Sequence, residues 1–164
     1  AASPAATGCT RTNALNRSLR FRLFIVGLLL SLAYPASALE YRSTAQASIL
    51  YDAPSTLAGK VAIAGSGLPL EVIVELQSWV KVRDHNGHLA WIEKSALTGA
   101  RSVMIKAESS AIRQRPRPDA DIVFRAARGV LLEPTGEPDG FGWLPVKHAD
   151  GRTGWLPAHE AWGK

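Results

Sequence analysis

Trp79-Val80-Lys81-Val82-Arg83-Asp84-His85-Asn86-Gly87-His88-Leu89-Ala90-Trp91-Ile92 decides the fold, because the chain runs through the same pattern again from Trp143 to Leu156. Each copy reads as an alternating strand, a polar turn containing Gly87 or Gly151, and a second short strand ending in Trp-Ile or Trp-Leu. Alternation puts Val80 and Val82 on one face and Trp79, Lys81 and Arg83 on the other. The second copy does the same with Trp143, Pro145 and Lys147 outside. An odd-numbered loop groups Ala90 and Ile92 with the valines and leaves Trp91 outside, whereas a two-residue Asn86-Gly87 turn would group Trp91 with them.

Working outward, the two copies align at a single spacing of 64 residues: Pro54 with Pro118, Trp79 with Trp143, Val82 with Val146, Gly87 with Gly151, Trp91 with Trp155 and Ile92 with Leu156. The chain therefore divides into a leader over 1–38, a first domain over 39–98 and a second over 101–164, with Thr98-Gly99-Ala100 as a short joint. No helix-period run of ten or more residues follows the leader, so the class is all-β. Strands are expected near Ala47–Tyr51, Leu70–Glu75, Ser78–Arg83 and His88–Glu93, with Asp52–Gly67 as a long loop. In the second copy they fall near Ala111–Arg113, Gly129–Glu133, Gly142–Lys147 and Thr153–Leu156. Five short strands in about sixty residues suit a small closed barrel that hides its strand edges.

The leader has a different chemistry. Arg11, Arg17, Arg20 and Arg22 precede an uncharged apolar run, Leu23–Tyr34, followed by Pro35-Ala36-Ser37-Ala38. A basic segment, an apolar core and an Ala-x-Ala ending form an export signal, with cleavage expected after Ala38 and a periplasmic or secreted product. Twelve helical residues reach ~18 Å, short of a ~30 Å hydrocarbon core, so no membrane span is expected to persist after cleavage. The formal charge of +5 contains the four leader arginines. Without them 15 Lys and Arg stand against 14 Asp and Glu, which removes the electrostatic case for a nucleic-acid partner. The only cysteine, Cys9, lies in the leader, so disulfides do not hold the domains.

The hairpin residues resemble the bacterial SH3-like domain in both copies: Trp79-Val-Lys-Val-Arg, Gly87 and Ala90-Trp91-Ile92, then Trp143-Leu-Pro-Val-Lys and Asp150-Gly151-Arg152-Thr153-Gly154-Trp155-Leu156. The resemblance implies two tandem SH3-like β-barrels used as an envelope targeting or binding module, often towards peptidoglycan, without activity of their own. Thr153-Gly154-Trp155-Leu156-Pro157 is similar to the stretch whose proline lines the peptide groove of eukaryotic SH3 domains, and Ile49-Leu50-Tyr51-Asp52 is similar to their groove tyrosine stretch. The first copy departs with Glu93 where the second has Pro157, and the match to the tyrosine stretch, Arg113-Gln114-Arg115-Pro116, has no aromatic residue.

Catalytic signatures are missing from the sequence: no nucleophile elbow, phosphate loop or zinc-protease motif appears, and no cysteine follows the leader. His85 and His88 flank a turn whose second copy has Ala149 and Arg152, a poor pattern for a metal, and no cofactor is expected. The reading is a non-enzymatic exported module that recognises cell-wall glycan or peptide, or an envelope protein, through Trp79, Arg83, Trp91, Trp143, Lys147 and Trp155. Trp offers apolar area to a sugar or peptide while Arg and Lys address carboxylates. Two alternatives stand beside it: tryptophans buried where the copies pack on each other or on a partner subunit, and an accessory factor of a cell-wall hydrolase. Mass spectrometry of the exported protein is expected to find Leu39 at its N-terminus, and an intact Arg17–Tyr34 segment would contradict the signal.

Overall fold

The first copy is a seven-stranded antiparallel sheet built from β1 Tyr41–Thr44, β2 Ser48–Tyr51, β3 Lys60–Ala64, β4 Pro69–Glu75, β5 Trp79–Arg83, β6 Leu89–Glu93 and β7 Leu97–Thr98, with a 3-10 turn at Lys94–Ala96. The second repeats it with β8 Val103–Ile105, β9 Ser109–Arg113, β10 Ile122–Ala127, β11 Leu131–Pro134, β12 Trp143–Lys147, β13 Thr153–Pro157 and β14 Ala161–Trp162, and a 3-10 turn at Ala158–Glu160. Spatial order is β3-β2-β6-β5-β4-β1-β7 in one copy and β10-β9-β13-β12-β11-β8-β14 in the other, the same topology twice. The coordinates are a computed structural model that describes Ala2 and residues 39–164, and the expected export signal lies outside the described residues. Residues 39–164 form one compact unit. Among the described residues no helix is long and apolar enough to cross a membrane.

Each domain packs its core around its central hairpin. Val80 faces Ile92 and Val82 faces Ala90 across β5 and β6, and all four are buried with Leu50, Ala64 and Leu70. In the second copy Leu144, Val146 and Leu156 pack with Ile112, Phe124 and Leu132. Arg83 pairs with Leu89 and Lys147 with Thr153, so five residues close each turn and the odd-loop alternative holds. Gly87 at φ +88° and Gly151 at φ +93° take backbone conformations that a Cβ disfavours. The Asp84 carboxylate fastens its turn by accepting the Asn86 and His88 N–H groups.

Two expectations are corrected. The segment Asp52–Gly67 is not all loop, for it contains β3, which pairs with β2 through Ser48↔Ala64 and Ile49↔Ile63. β3 stands at a sheet edge with Val61 and Ile63 exposed, so burial leaves no alternating pattern to read. The spacing of the copies is also not 64 throughout. Asp52 N–H donates to the Gly59 carbonyl and Gln114 N–H to that of Asp121, counterparts 62 apart, which pairs Pro54 with Pro116 instead of Pro118. A longer loop between β11 and β12 than between β4 and β5 restores the 64 spacing at the hairpin.

The copies are joined through residues that the repeat does not predict. Trp162 Nε1 donates to the Pro69 carbonyl at 3.0 Å, and its ring meets Tyr41 edge to face at 5.3 Å. Ser43 Oγ lies 2.7 Å from Ser102 Oγ, which in turn donates to the Gly67 carbonyl. Gly163, at φ +94°, is wedged so closely that a Cβ there would sit 2.6 Å from Pro69 Cβ and 2.9 Å from the Ser102 carbonyl oxygen. Gly163→Ala is therefore expected to destabilise the tandem by ~1–3 kcal/mol through backbone strain and clash, comparable with the ~1–3 kcal/mol expected for the core truncation Val82→Ala. Thermal denaturation of both variants beside the parent checks this, and a Gly163→Ala protein melting with the parent would contradict the contact.

Candidate binding groove

The β5–β6 hairpin turns its polar side outward, as its alternation requires. Trp79 stands opposite Glu93, Lys81 opposite Trp91 and Arg83 opposite Leu89. On the other flank of β6, Tyr51 of β2 pairs with Trp91. The Tyr51 and Trp79 rings are 5.3 Å apart with planes at 87°, an edge-to-face contact that buries the tyrosine. Lys81 Nζ lies 5.9 Å from the centre of the Trp91 ring, within cation–π range.

Two adjoining depressions flank this aromatic pair. A cavity of about 470 Å³ is lined by Thr56 from the β2–β3 loop, Gln77 and Ser78 from the β4–β5 loop, Trp79, Glu93 and Ser95. A second, of about 270 Å³, lies along Ser48, Ile49 and Tyr51 and shares Glu93 and Ser95 with the first. Together they form an open groove with an aromatic and aliphatic floor and hydroxyl, amide and carboxylate groups at its rim. Lys94 also borders the larger cavity, but Glu75 takes its ammonium, and Arg42 Nη2 reaches the same carboxylate at 2.6 Å. The hydrogen bond from Lys94, reinforced by Arg42, holds the Glu75 carboxyl below its ordinary range. Glu93 forms no ion pair among the described residues.

The six residues singled out from the sequence separate into different surroundings. Trp79 and Trp91 share the outer face, but only Trp79 borders the larger cavity. Arg83 lies four residues from Trp79 on the same strand, ~13 Å away. It is engaged by Glu71, whose side chain is only 4% exposed and accepts from Arg83 Nε at 2.9 Å and Nη2 at 2.6 Å. Tyr41 stands opposite Glu71 across β1 and β4: burial pushes its phenol up, and the Glu71 charge adds to the shift. In the second copy Trp143 stands opposite Pro157, and Trp155 pairs with Pro145 on one side and Arg113 on the other. Lys147 is exposed opposite Thr153. Phe141, two residues before Trp143 in the chain, is 90% exposed.

Thr56, Gln77, Ser78, Tyr51, Glu93 and Ser95 border the groove but were not among the six residues singled out from the sequence, because they come from loops, strand ends and the 3-10 turn. Lys81 stands within the quoted hairpin and was not among the six either. Glu71 was also missed. Its signal was present in the sequence, an acid inside the apolar run Leu70-Glu71-Val72-Ile73-Val74.

The bacterial SH3 domain family model matches residues 45–99 and 106–163. Among solved structures, an NlpC/P60 family protein from Bacillus cereus ATCC 10987 matches with 15% identity and a TM-score of 0.35, over 75% of this chain and 56% of that one. NlpC1 from Trichomonas vaginalis matches with 14% identity and a TM-score of 0.34, over 82% and 50%. The chain thus spans about half the length of these structures. No curated protein matches it.

The geometry separates a positive charge used by the fold from one open to ligands. Arg83→Ala strands a buried carboxylate, and it is expected to lower the melting temperature. Lys81→Ala is expected to leave melting close to the parent, because Lys81 forms no ion pair among the described residues. Parallel melting curves of the two variants check this, and equal melting temperatures would contradict the assignment.

Proposed function

The chain belongs to the bacterial SH3 domain family, and on that premise we propose that it is a non-enzymatic, exported binding module of the cell envelope that recognises peptidoglycan or an envelope protein through the groove of its first copy. The observation that carries the reading is the open groove over the Tyr51–Trp79 pair, bordered by the β2–β3 loop, the β4–β5 loop and the 3-10 turn at Lys94–Ala96. An aromatic floor offers apolar contact area to a sugar ring or a peptide backbone, and the hydroxyl and amide rim of Thr56, Gln77, Ser78 and Ser95 offers hydrogen bonds. Export is supported by the pattern of leader arginines, the apolar run Leu23–Tyr34 and the Ala36-Ser37-Ala38 ending.

The reading in which the copies pack on each other is favoured by one specific contact, Trp162 on Pro69 and Tyr41. It is compatible with a binding role, because that contact employs none of the residues bordering the groove. Trp143, Trp155 and Lys147 then belong to a second surface of different composition, with Arg113 in the place of Tyr51 and Pro157 in the place of Glu93.

Retention on purified sacculi and on solubilised envelope proteins tests the proposal. Trp79→Ala is expected to weaken binding by ~2 kcal/mol, roughly thirtyfold, as loss of an aromatic anchor does, while circular dichroism stays that of the parent. A folded Trp79→Ala protein that binds as the parent does would refute the groove as the site.

A further inference from the structure

We propose that the groove of the first copy is selective for an organic cation, a primary ammonium carried on a peptide, which it holds between the Trp79 ring and the Glu93 carboxylate. The inference rests on the groove reading above and adds the charge of the ligand. Trp79 and Glu93 are directly opposed on β5 and β6 and border the same cavity. Directly opposed residues on one face of an antiparallel pair have Cβ atoms ~5 Å apart, so a single small cation can touch both side chains. An ammonium gains from the negative face of an indole and from a charge-assisted hydrogen bond to a carboxylate at once. Neither a neutral sugar nor a carboxylate could use that combination.

The surrounding charges leave this acid available. The one cationic side chain bordering the cavity, Lys94, is paired with Glu75, and Glu75 is shared with Arg42. Arg83 is held by Glu71, and Lys81, on the same outer face at the next outward pair along the ladder from Trp79 and Glu93, lies over the Trp91 ring and forms no ion pair with Glu93 among the described residues. Thr56, Gln77, Ser78 and Ser95 supply neutral oxygens around the opening, which suit the remaining N–H donors of an ammonium. Selectivity is expected in this copy alone, for the second copy places Pro157 opposite Trp143 and Arg113 beside Trp155. An arginine and a proline there offer no partner for a cation.

The test follows the indole N–H signals of residues 39–164 by 15N–1H spectroscopy, the Trp79 signal being assigned from its loss in Trp79→Phe. The probes are Ac-Ala-Lys-Ala-NH2 and the same peptide acetylated on Nζ, which keeps the shape and removes the charge. The lysine peptide is expected to shift the Trp79 signal saturably and the acetylated one to bind at least tenfold more weakly. Glu93→Gln is expected to erase most of that difference. Equal affinity for the two peptides in the parent protein would overturn the proposal, whatever the variants do, and so would a folded Glu93→Gln protein that keeps the preference.

Sacculi with and without acetylated amino groups distinguish the source of the cation. Retention lost on acetylation supports the proposal with the wall as the source. Selective binding of the lysine peptide without retention on either kind of sacculus also supports it, and points to a basic protein segment while removing the glycan arm of the functional reading.

Discussion

The seating of the Trp162 indole on Pro69 and Tyr41 is the contact that makes one body of two small barrels. A domain of about sixty residues buries only ~60% of the surface its unfolded chain exposes and is correspondingly marginal. The only cysteine, Cys9, lies outside residues 39–164, so no disulfide compensates within them. Covering part of each barrel with its neighbour is the remaining route to stability, and the close fit at Gly163 shows how little space is left there. The effect reaches further into the first copy. Trp162 lies against Tyr41, Tyr41 stands beside Glu71 on the neighbouring strand, and Glu71 stands beside Arg83. A carboxylate enclosed in this row must be neutralised within the fold, so the Arg83 charge serves the fold before it can serve a ligand.

That chain of contacts sorts the five tryptophans by role. Trp162 joins the copies, Trp79 forms the floor of the groove with Tyr51, and Trp91 lies beneath the Lys81 ammonium. Trp143 and Trp155 occupy the same hairpin positions in the second copy, but their neighbours differ, Pro157 for Glu93 and Arg113 for Tyr51. The inward residues hardly vary in kind, since Val80, Val82 and Ile92 are answered by Leu144, Val146 and Leu156. Close packing allows the core little freedom, whereas outward positions on the same strands are constrained only by the pleat. One topology can therefore present two surfaces of different charge.

By itself the sequence determined the all-β class, the duplication and the hairpin at the centre of each copy. These follow from local rules: a period of two places Val80 and Val82 inside and Trp79 outside, and glycine at a positive φ closes the turn. The tertiary structure alone decided which residues meet across the sheets. β3 was hidden because an edge strand with exposed Val61 and Ile63 leaves no burial pattern, and the spacing of 62 in the first half of each copy was hidden because Pro118 happens to stand 64 residues after Pro54. Trp162, whose counterpart at the hairpin spacing is Thr98, was the one tryptophan that the repeat did not require. The groove draws Thr56, Gln77, Glu93 and Ser95 from three separate segments, and Arg83 meets Glu71 from a neighbouring strand. Alternation fixes only the face on which a side chain stands, while the partner it meets there is set by strand order and register, which depend on how the whole barrel closes.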